Sequence, residues 1–230
     1  MKFLSFDETR DFPYYNHNPR LSKLQWFILL ILVPIALFGQ FLFGSEFLGS
    51  IFFCFLILIP LLYFSNWDYK LLFHKPTKNE IILALLMFIG YMTYAIIAGV
   101  VLDSFHLSSA ASITDTITVT PEIIISLIFS MMGEELLKFI PLMFFMRLVY
   151  KYTDNRKLSI IISFVLVLLG FGLLHYAPPF NTIASVLVLQ GVGTIFELYG
   201  YLRTKNLLVP YITHLLTDAV IFILIFIGIS

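Results

Sequence analysis

The chain has 230 residues, of which 60% are hydrophobic, 17% aromatic and only 12% charged. Soluble globular domains carry about 25% charged residues, so the composition excludes that class and predicts an all-α, multi-span helical membrane protein. Equal numbers of basic and acidic side chains, 14 of each, give a formal net charge of zero, and no nucleic-acid partner is expected.

Residues 1–23 form a short cytoplasmic arm. Its Phe3, Phe6, Tyr14 and Tyr15 allow it to lie on the membrane surface, and a disordered tail is the alternative. A membrane helix needs roughly 20 apolar residues. Seven stretches supply them, at about residues 24–44, 47–65, 80–102, 122–147, 158–176, 181–200 and 207–228. The first follows a polar segment of both charge signs and has no small-residue cleavage site, so it reads as an anchor rather than a removable signal. Cys54, the only cysteine, falls in the second span; it rules out an intramolecular disulfide and reads as a packing residue. The Ser- and Thr-rich stretch 103–121 is the longest external loop. No internal repeat or separate aqueous domain is evident, so residues 24–228 read as one transmembrane domain.

The basic residues fix the orientation. Lys2, Arg10, Arg20 and Lys23 precede the first span; Lys70, Lys75 and Lys78 join the second and third. Arg147, Lys151, Arg156 and Lys157 join the fourth and fifth, and Arg203 and Lys205 the sixth and seventh. The intervening loops have no Lys or Arg, so the positive-inside rule places the N-terminus in the cytoplasm and the C-terminus outside. Of the 14 basic residues only Lys138 falls away from that face.

Ionisable groups at membrane depth cost about 2.5–3.5 kcal/mol each and face a bundle interior or a wet cavity. Glu134, Glu135 and Lys138 lie in the middle of the fourth span, His175 near the end of the fifth, and His214 and Asp218 in the seventh. Glu197, near the inner end of the sixth, reads as a structural residue in reach of water. Glu134 and Lys138, Phe171 and His175, and His214 and Asp218 are each four residues apart, so every pair shares a helix face. Two separate intrahelical ion pairs are one explanation. That leaves Glu135 and His175 without partners, whereas convergence of the three helices on one cavity satisfies every group. Gly133 permits close backbone approach beside the carboxylates, and Pro141 frees the Leu137 carbonyl.

The stretches "EELLK" at 134–138, "FGLLH" at 171–175 and "ELYGYLRTKNLLVPYITHLLTD" at 197–218 resemble the three motifs of the CPBP family, the CAAX proteases and bacteriocin-processing enzymes. That pattern is Glu-Glu-x-x-x-Arg, then Phe-x-x-x-His, then His-x-x-x-Asn or Asp, and the resemblance covers about residues 120–225. The family arginine falls at Phe139, while the basic residue here is Lys138. The resulting Glu-Glu-x-x-Lys is similar to the first motif of PrsW-type membrane proteases, whose second motif ends in Glu where His175 stands. Lys138 neutralises the carboxylates as a point charge without the arginine fork.

The resemblance implies an intramembrane endopeptidase acting on a membrane-associated peptide or protein, in a bacterial plasma membrane. Glu134 with His175 would activate a water, Glu135 would supply a like charge or hold the helix, and His214 with Asp218 would stabilise the oxyanion. Two histidines and two or three carboxylates also suit zinc. There is no His-Glu-x-x-His, however, and the resemblance is to glutamate-dependent enzymes, so neither a metal nor another cofactor is expected. The alternative is a non-catalytic membrane partner, of a sensor kinase or in bacteriocin self-immunity; the position of Lys138 favours it. Proton-coupled transport would use the same carboxylates, but no repeat supports it. One geometric difficulty stands: His175 falls near the outer surface, whereas His214 lies roughly 10 Å in from the cytoplasm.

Overall fold

A computed structural model describes residues 11–16, 19–108 and 118–228. Phe3 and Phe6 of the arm lie outside them. The described residues are 78% helical, with no strand among them. Helices α1 (Lys23–Gly39), α2 (Glu46–Phe64), α3 (Lys78–Ser104), α4 (Pro121–Thr153) and α5 (Arg156–Leu174) are followed by a sixth helical segment, Ile183–Thr204. That segment is built of α6 (Ile183–Val186), a π-helical stretch (Leu187–Gly191), a 3-10 turn (Val192–Thr194) and α7 (Ile195–Thr204). Helix α8 (Leu208–Phe226) ends the bundle. The seven helical segments match the seven predicted spans.

Six of these segments are long and apolar enough to cross a membrane. The seventh, α4, has 33 residues, about 50 Å at 1.5 Å per residue, and carries Glu134, Glu135 and Lys138 in its middle. Large apolar side chains stay exposed along α3, among them Leu86, Ile89, Ile96, Ile97 and Val100. A surface of that kind suits lipid. Several helix starts are closed by side chains, which satisfy amides that have no partner within the helix. Ser22 with Gln25, and Thr77 with Glu80, form capping boxes; Thr120 and Asn155 cap α4 and α5.

The loops gather at two ends. At the basic end Arg156 pairs with Asp11 at 2.8 Å, Arg147 donates to the Tyr14 carbonyl, and the Leu207 amide donates to the Leu72 carbonyl at 2.9 Å. At the other end Ser45 donates to Glu122 and Thr182 to the Leu107 carbonyl. Residues 11–16 are not spread on a membrane surface. Phe12, Tyr14 and Tyr15 are buried, packed on Tyr201, on Trp26 and Phe139, and on Tyr150 respectively.

Two antiparallel hairpins set the height of the polar residues. Helix α4 stops at Asp154, in the left-handed region at φ 47°, and α5 starts at once. Lys138 lies 15 residues before Thr153 and Phe171 15 residues after Arg156, so they are level; the Lys138 ammonium is 4.6 Å from the Phe171 ring centre. Glu134 and His175 are level by the same argument. In the second hairpin α7 and α8 meet at Lys205–Leu207, all three residues buried. Asn206 exchanges hydrogen bonds with the His74 backbone, donating at 3.0 Å and accepting at 3.3 Å, and Lys205 lies over Phe12.

That sunken turn removes the expected depth mismatch. Glu134 stands about 28 Å along α4 from the α4–α5 turn, while His214 stands only about 9 Å along α8 from its start. Helix α8 begins on the order of 20 Å inside the level of the α4–α5 turn, roofed on the side of the basic loops by residues 11–16 and the α2–α3 connection.

Candidate active site

Three helices converge as the spacing predicts, and the polar groups fall into two layers. The inner layer is an ion cluster. The Lys138 ammonium lies 2.5 Å from Glu135 Oε1, is ion-paired with Glu197 Oε2, and is 3.4 Å from His214 Nδ1. His214 Nδ1 is also 2.8 Å from Glu135 Oε1. Lys138, Glu135, Glu197 and His214 are 1%, 2%, 5% and 6% exposed. Uncompensated, any of these charges would be too costly to bury; paired and hydrogen-bonded, they hold α4, α7 and α8 together.

The partners differ from the simplest reading of the sequence. Lys138 bonds Glu135, three residues before it, and Glu197 across the bundle, rather than serving Glu134. Glu197, taken as a residue near water, is a buried member of the cluster. Its predicted span ended too early: the helix runs on to Thr204 into the buried turn. The signal was present in the sequence, because Glu197 and His214 are almost equally far from the Lys205–Leu207 turn and so lie level. Phe139, where the resembled family has arginine, packs edge-on against Tyr14 and Tyr201 at 6.2 and 5.4 Å. One residue is about 100° of helix rotation. The basic residue therefore reaches the carboxylates from position 138 and not from 139.

The outer layer is a cavity of about 190 Å³ lined by Glu134, His175, His214 and Asp218, with Phe171, Gln190 and other side chains completing its walls. His214 joins the layers. Its Nδ1 is committed to the Glu135 carboxylate, and its Nε2 stands 3.7 Å from Glu134 Oε2 and 3.9 Å from Asp218 Oδ2. His175 caps α5 with its Nδ1 2.9 Å from the Phe171 carbonyl. A carbonyl only accepts, so Nδ1 carries the proton and Nε2 remains an acceptor. Glu134 and His175 both line the cavity.

The cavity wall needs glycine where α5 meets the π-helical stretch. A Cβ on Gly172 would lie 2.9 Å from Gly191 Cα and 3.0 Å from the Val186 carbonyl. This approach carries Gln190 into the wall, and π-helical turns are frequent at functional sites. Gly133 serves α2 in the same way, since a Cβ there would meet the Phe53 ring at 2.6 Å.

Glu135, Glu197 and His214 place one donor atom each within 4.8 Å of one another, close enough to hold a metal ion. The Lys138 ammonium occupies that donor set, bonding both carboxylates and approaching the histidine. A fixed cation already answers the charge a metal would answer, so this triad does not fit one.

No family model, no curated protein and no solved structure matches the chain. The reading of the site rests on its geometry and its motifs.

Proposed function

We propose that the chain is a glutamate-dependent intramembrane endopeptidase of the CPBP type, hydrolysing a peptide bond in a membrane-associated peptide or protein of a bacterial plasma membrane. The observation that carries this reading is the gathering of Glu134, His175, His214 and Asp218 around one cavity. Glu134 and His175 hold a water through its two hydrogens. The Glu134 carboxylate takes one proton as the water oxygen bonds the scissile carbonyl carbon. The oxyanion that forms faces Asp218 and His214 Nε2, which donates to it as the imidazolium because the Nδ1 proton is already given to Glu135. The carbon–nitrogen bond then breaks, the proton on Glu134 passes to the leaving nitrogen, and the carboxylate is restored.

Asp218 fits this scheme when it is protonated or when it holds His214 as a cation, since a bare carboxylate beside an oxyanion is repulsive. The inner cluster supports the reaction indirectly by committing His214 Nδ1 to Glu135, which leaves Nε2 to the cavity. The second reading, a non-catalytic membrane partner, is favoured by one feature: the Glu135–Lys138–Glu197 cluster is also sufficient as a structural clasp.

The test is cleavage of a broad peptide set by wild type and Glu134→Gln in reconstituted membranes, with and without a zinc chelator. Removing a general base costs roughly 10²–10⁴-fold. Loss of that order in a folded Glu134→Gln protein, with the chelator inert, supports the metal-independent peptidase. Full activity of Glu134→Gln removes Glu134 as the base; an inert wild type favours the partner reading.

A further inference from the structure

We propose that the cavity is reached from the extracytoplasmic side of the membrane, and that what reaches it is an extended stretch of peptide on that side. The side of access stands on geometry together with the positive-inside rule. The peptide nature of the ligand rests on the peptidase reading above.

The cytoplasmic floor is closed. Glu197 lines the cavity and is paired with Lys138, which also holds Glu135; next to these lies a layer of Leu198, Phe139 and Tyr201, all buried. Below these, Phe12 is sandwiched between the Lys205 ammonium at 5.4 Å and the Arg156 guanidinium at 5.7 Å. A path from the cytoplasm would have to part a buried ion pair and an aromatic layer. Parting such a pair strands buried charges without their partners, which is strongly unfavourable even before any packing is lost.

Accessibility rises in the opposite direction on helices that run opposite ways. On α4, which descends toward the basic end, Glu134 is 23% exposed at its side chain and Lys138, one turn further down on the same face, is 1%. On α8, which ascends, His214 is 6% exposed, Asp218 one turn further is 26% at its side chain, and Ile221 is 38%. Both gradients point to the end away from the basic loops, which is the outside by the positive-inside rule.

The helix lengths build a notch at that level. Helix α5 ends at His175 and the chain returns with Ile183, so this wall stops at the height of the cavity. Helix α4 continues for 13 residues beyond Glu134, about 20 Å, and α8 for eight beyond Asp218, about 12 Å. The wall that α5 forms is therefore lower than α4 and α8, which pack on each other, and the turn that follows it is tied by Thr182 to the Leu107 carbonyl past the end of α3.

The cavity's size and polarity then choose the ligand. At about 190 Å³ it is smaller than the roughly 300–1,000 Å³ that hold a compact small molecule, yet ample for water and a length of backbone. Gln190 Oε1 in its wall is buried and has no hydrogen-bond partner among the described residues. Such an acceptor suits a peptide N–H. An exported peptide, or the outer flank of a membrane helix pulled into extended form, meets all three conditions.

The test is cysteine labelling in a Cys54→Ala background with a membrane-impermeant thiol reagent, applied to right-side-out and inside-out vesicles. The thiolate reacts and forms only where water reaches it, so lipid exposure alone gives no signal. Ile221→Cys reports the rim and Leu198→Cys the floor. Ser108→Cys and Lys75→Cys mark the two faces, and thermal stability confirms folding. The expected result is labelling of Ile221→Cys from right-side-out vesicles only, and of Leu198→Cys from neither. Labelling of Ile221→Cys from inside-out vesicles, or from neither side, overturns outer access. Outer labelling together with a wild type that cleaves none of the peptides keeps the access side and overturns the peptide ligand.

Discussion

Lys138 and Glu197 are 59 residues apart in the chain and form an ion pair in the core, joining α4 to α7 directly beneath the cavity. Two carboxylates share the Lys138 ammonium, so its removal leaves Glu135 and Glu197 facing each other with His214 as their remaining partner. Lys138→Met is expected to destabilise the folded protein by about 3–5 kcal/mol. Adding Glu197→Gln removes one of the two stranded charges and should recover part of that loss. Unfolding of both variants in one detergent or lipid system measures this. A double variant no more stable than Lys138→Met would show that the two side chains do not act as a pair.

The contact between α5 and the π-helical stretch offers a matched pair of glycines. A methyl group on Gly172 meets backbone atoms that cannot turn aside, whereas Gly170 has nothing within 4 Å of its Cβ position. Gly172→Ala should therefore cost about 1–3 kcal/mol, as overpacking does. It should also displace Gln190 and lower peptide turnover. Gly170→Ala should be neutral or slightly stabilising, because it removes freedom from the unfolded chain. Thermal unfolding of the two variants side by side checks this, and equal behaviour would mean that the close approach does not exist.

The sequence made the seven helices legible, since runs of about 20 apolar residues separated by charged loops have one physical solution in a bilayer. The convergence of Glu134, His175, His214 and Asp218 was also legible from four-residue spacing combined with the cost of burying polar groups. What spacing could not convey was depth. The span containing Glu197 was placed too near the cytoplasm because its polar end, "RTKN", looks like a surface loop; Asn206 there is bonded to the His74 backbone and Lys205 is roofed by Phe12. The same long-range contacts hid the role of residues 11–16. A sequence of Phe12, Pro13, Tyr14 and Tyr15 shows an affinity for apolar surroundings but not that those surroundings are the protein's own interior.

Tyr14 supplies a pH test of that interior. Its hydroxyl is 2.6 Å from Ser65 Oγ, and burial pushes the phenol up to about 12, with the Ser65 bond opposing and Asp68 adding to the shift. The folded state thus holds this proton more tightly than the unfolded chain does. The stabilisation it provides is complete below about pH 10 and lost as the pH rises through about 12. Tyr14→Phe should cost about 1 kcal/mol at neutral pH for the lost hydrogen bond, since Ser65 keeps its bond to the Leu61 carbonyl. Above pH 10 the gap between wild type and variant should narrow. Stability against pH for both proteins measures it, and parallel curves would place Tyr14 in water rather than in the core.

Asp218 separates the proposed chemistry from a merely structural cluster. In the proposed reaction it stands beside a developing oxyanion, where a neutral donor serves as well as a protonated acid. Asp218→Asn should therefore keep substantial turnover, and Asp218→Ala should lose roughly 10²–10³-fold, the usual cost of removing one donor to an oxyanion. Because Asp218 is about a quarter exposed and contacts the inner cluster only through His214, neither change should cost much stability. His214→Ala differs in both respects: it removes the oxyanion donor and also takes a partner from the buried Glu135 carboxylate, so turnover and unfolding midpoint should fall together. Turnover and thermal midpoints of the three variants, taken at matched pH, decide the question. If Asp218→Asn and Asp218→Ala lose activity equally, the carboxylate acts as a charge that orients His214 rather than as a donor to the intermediate.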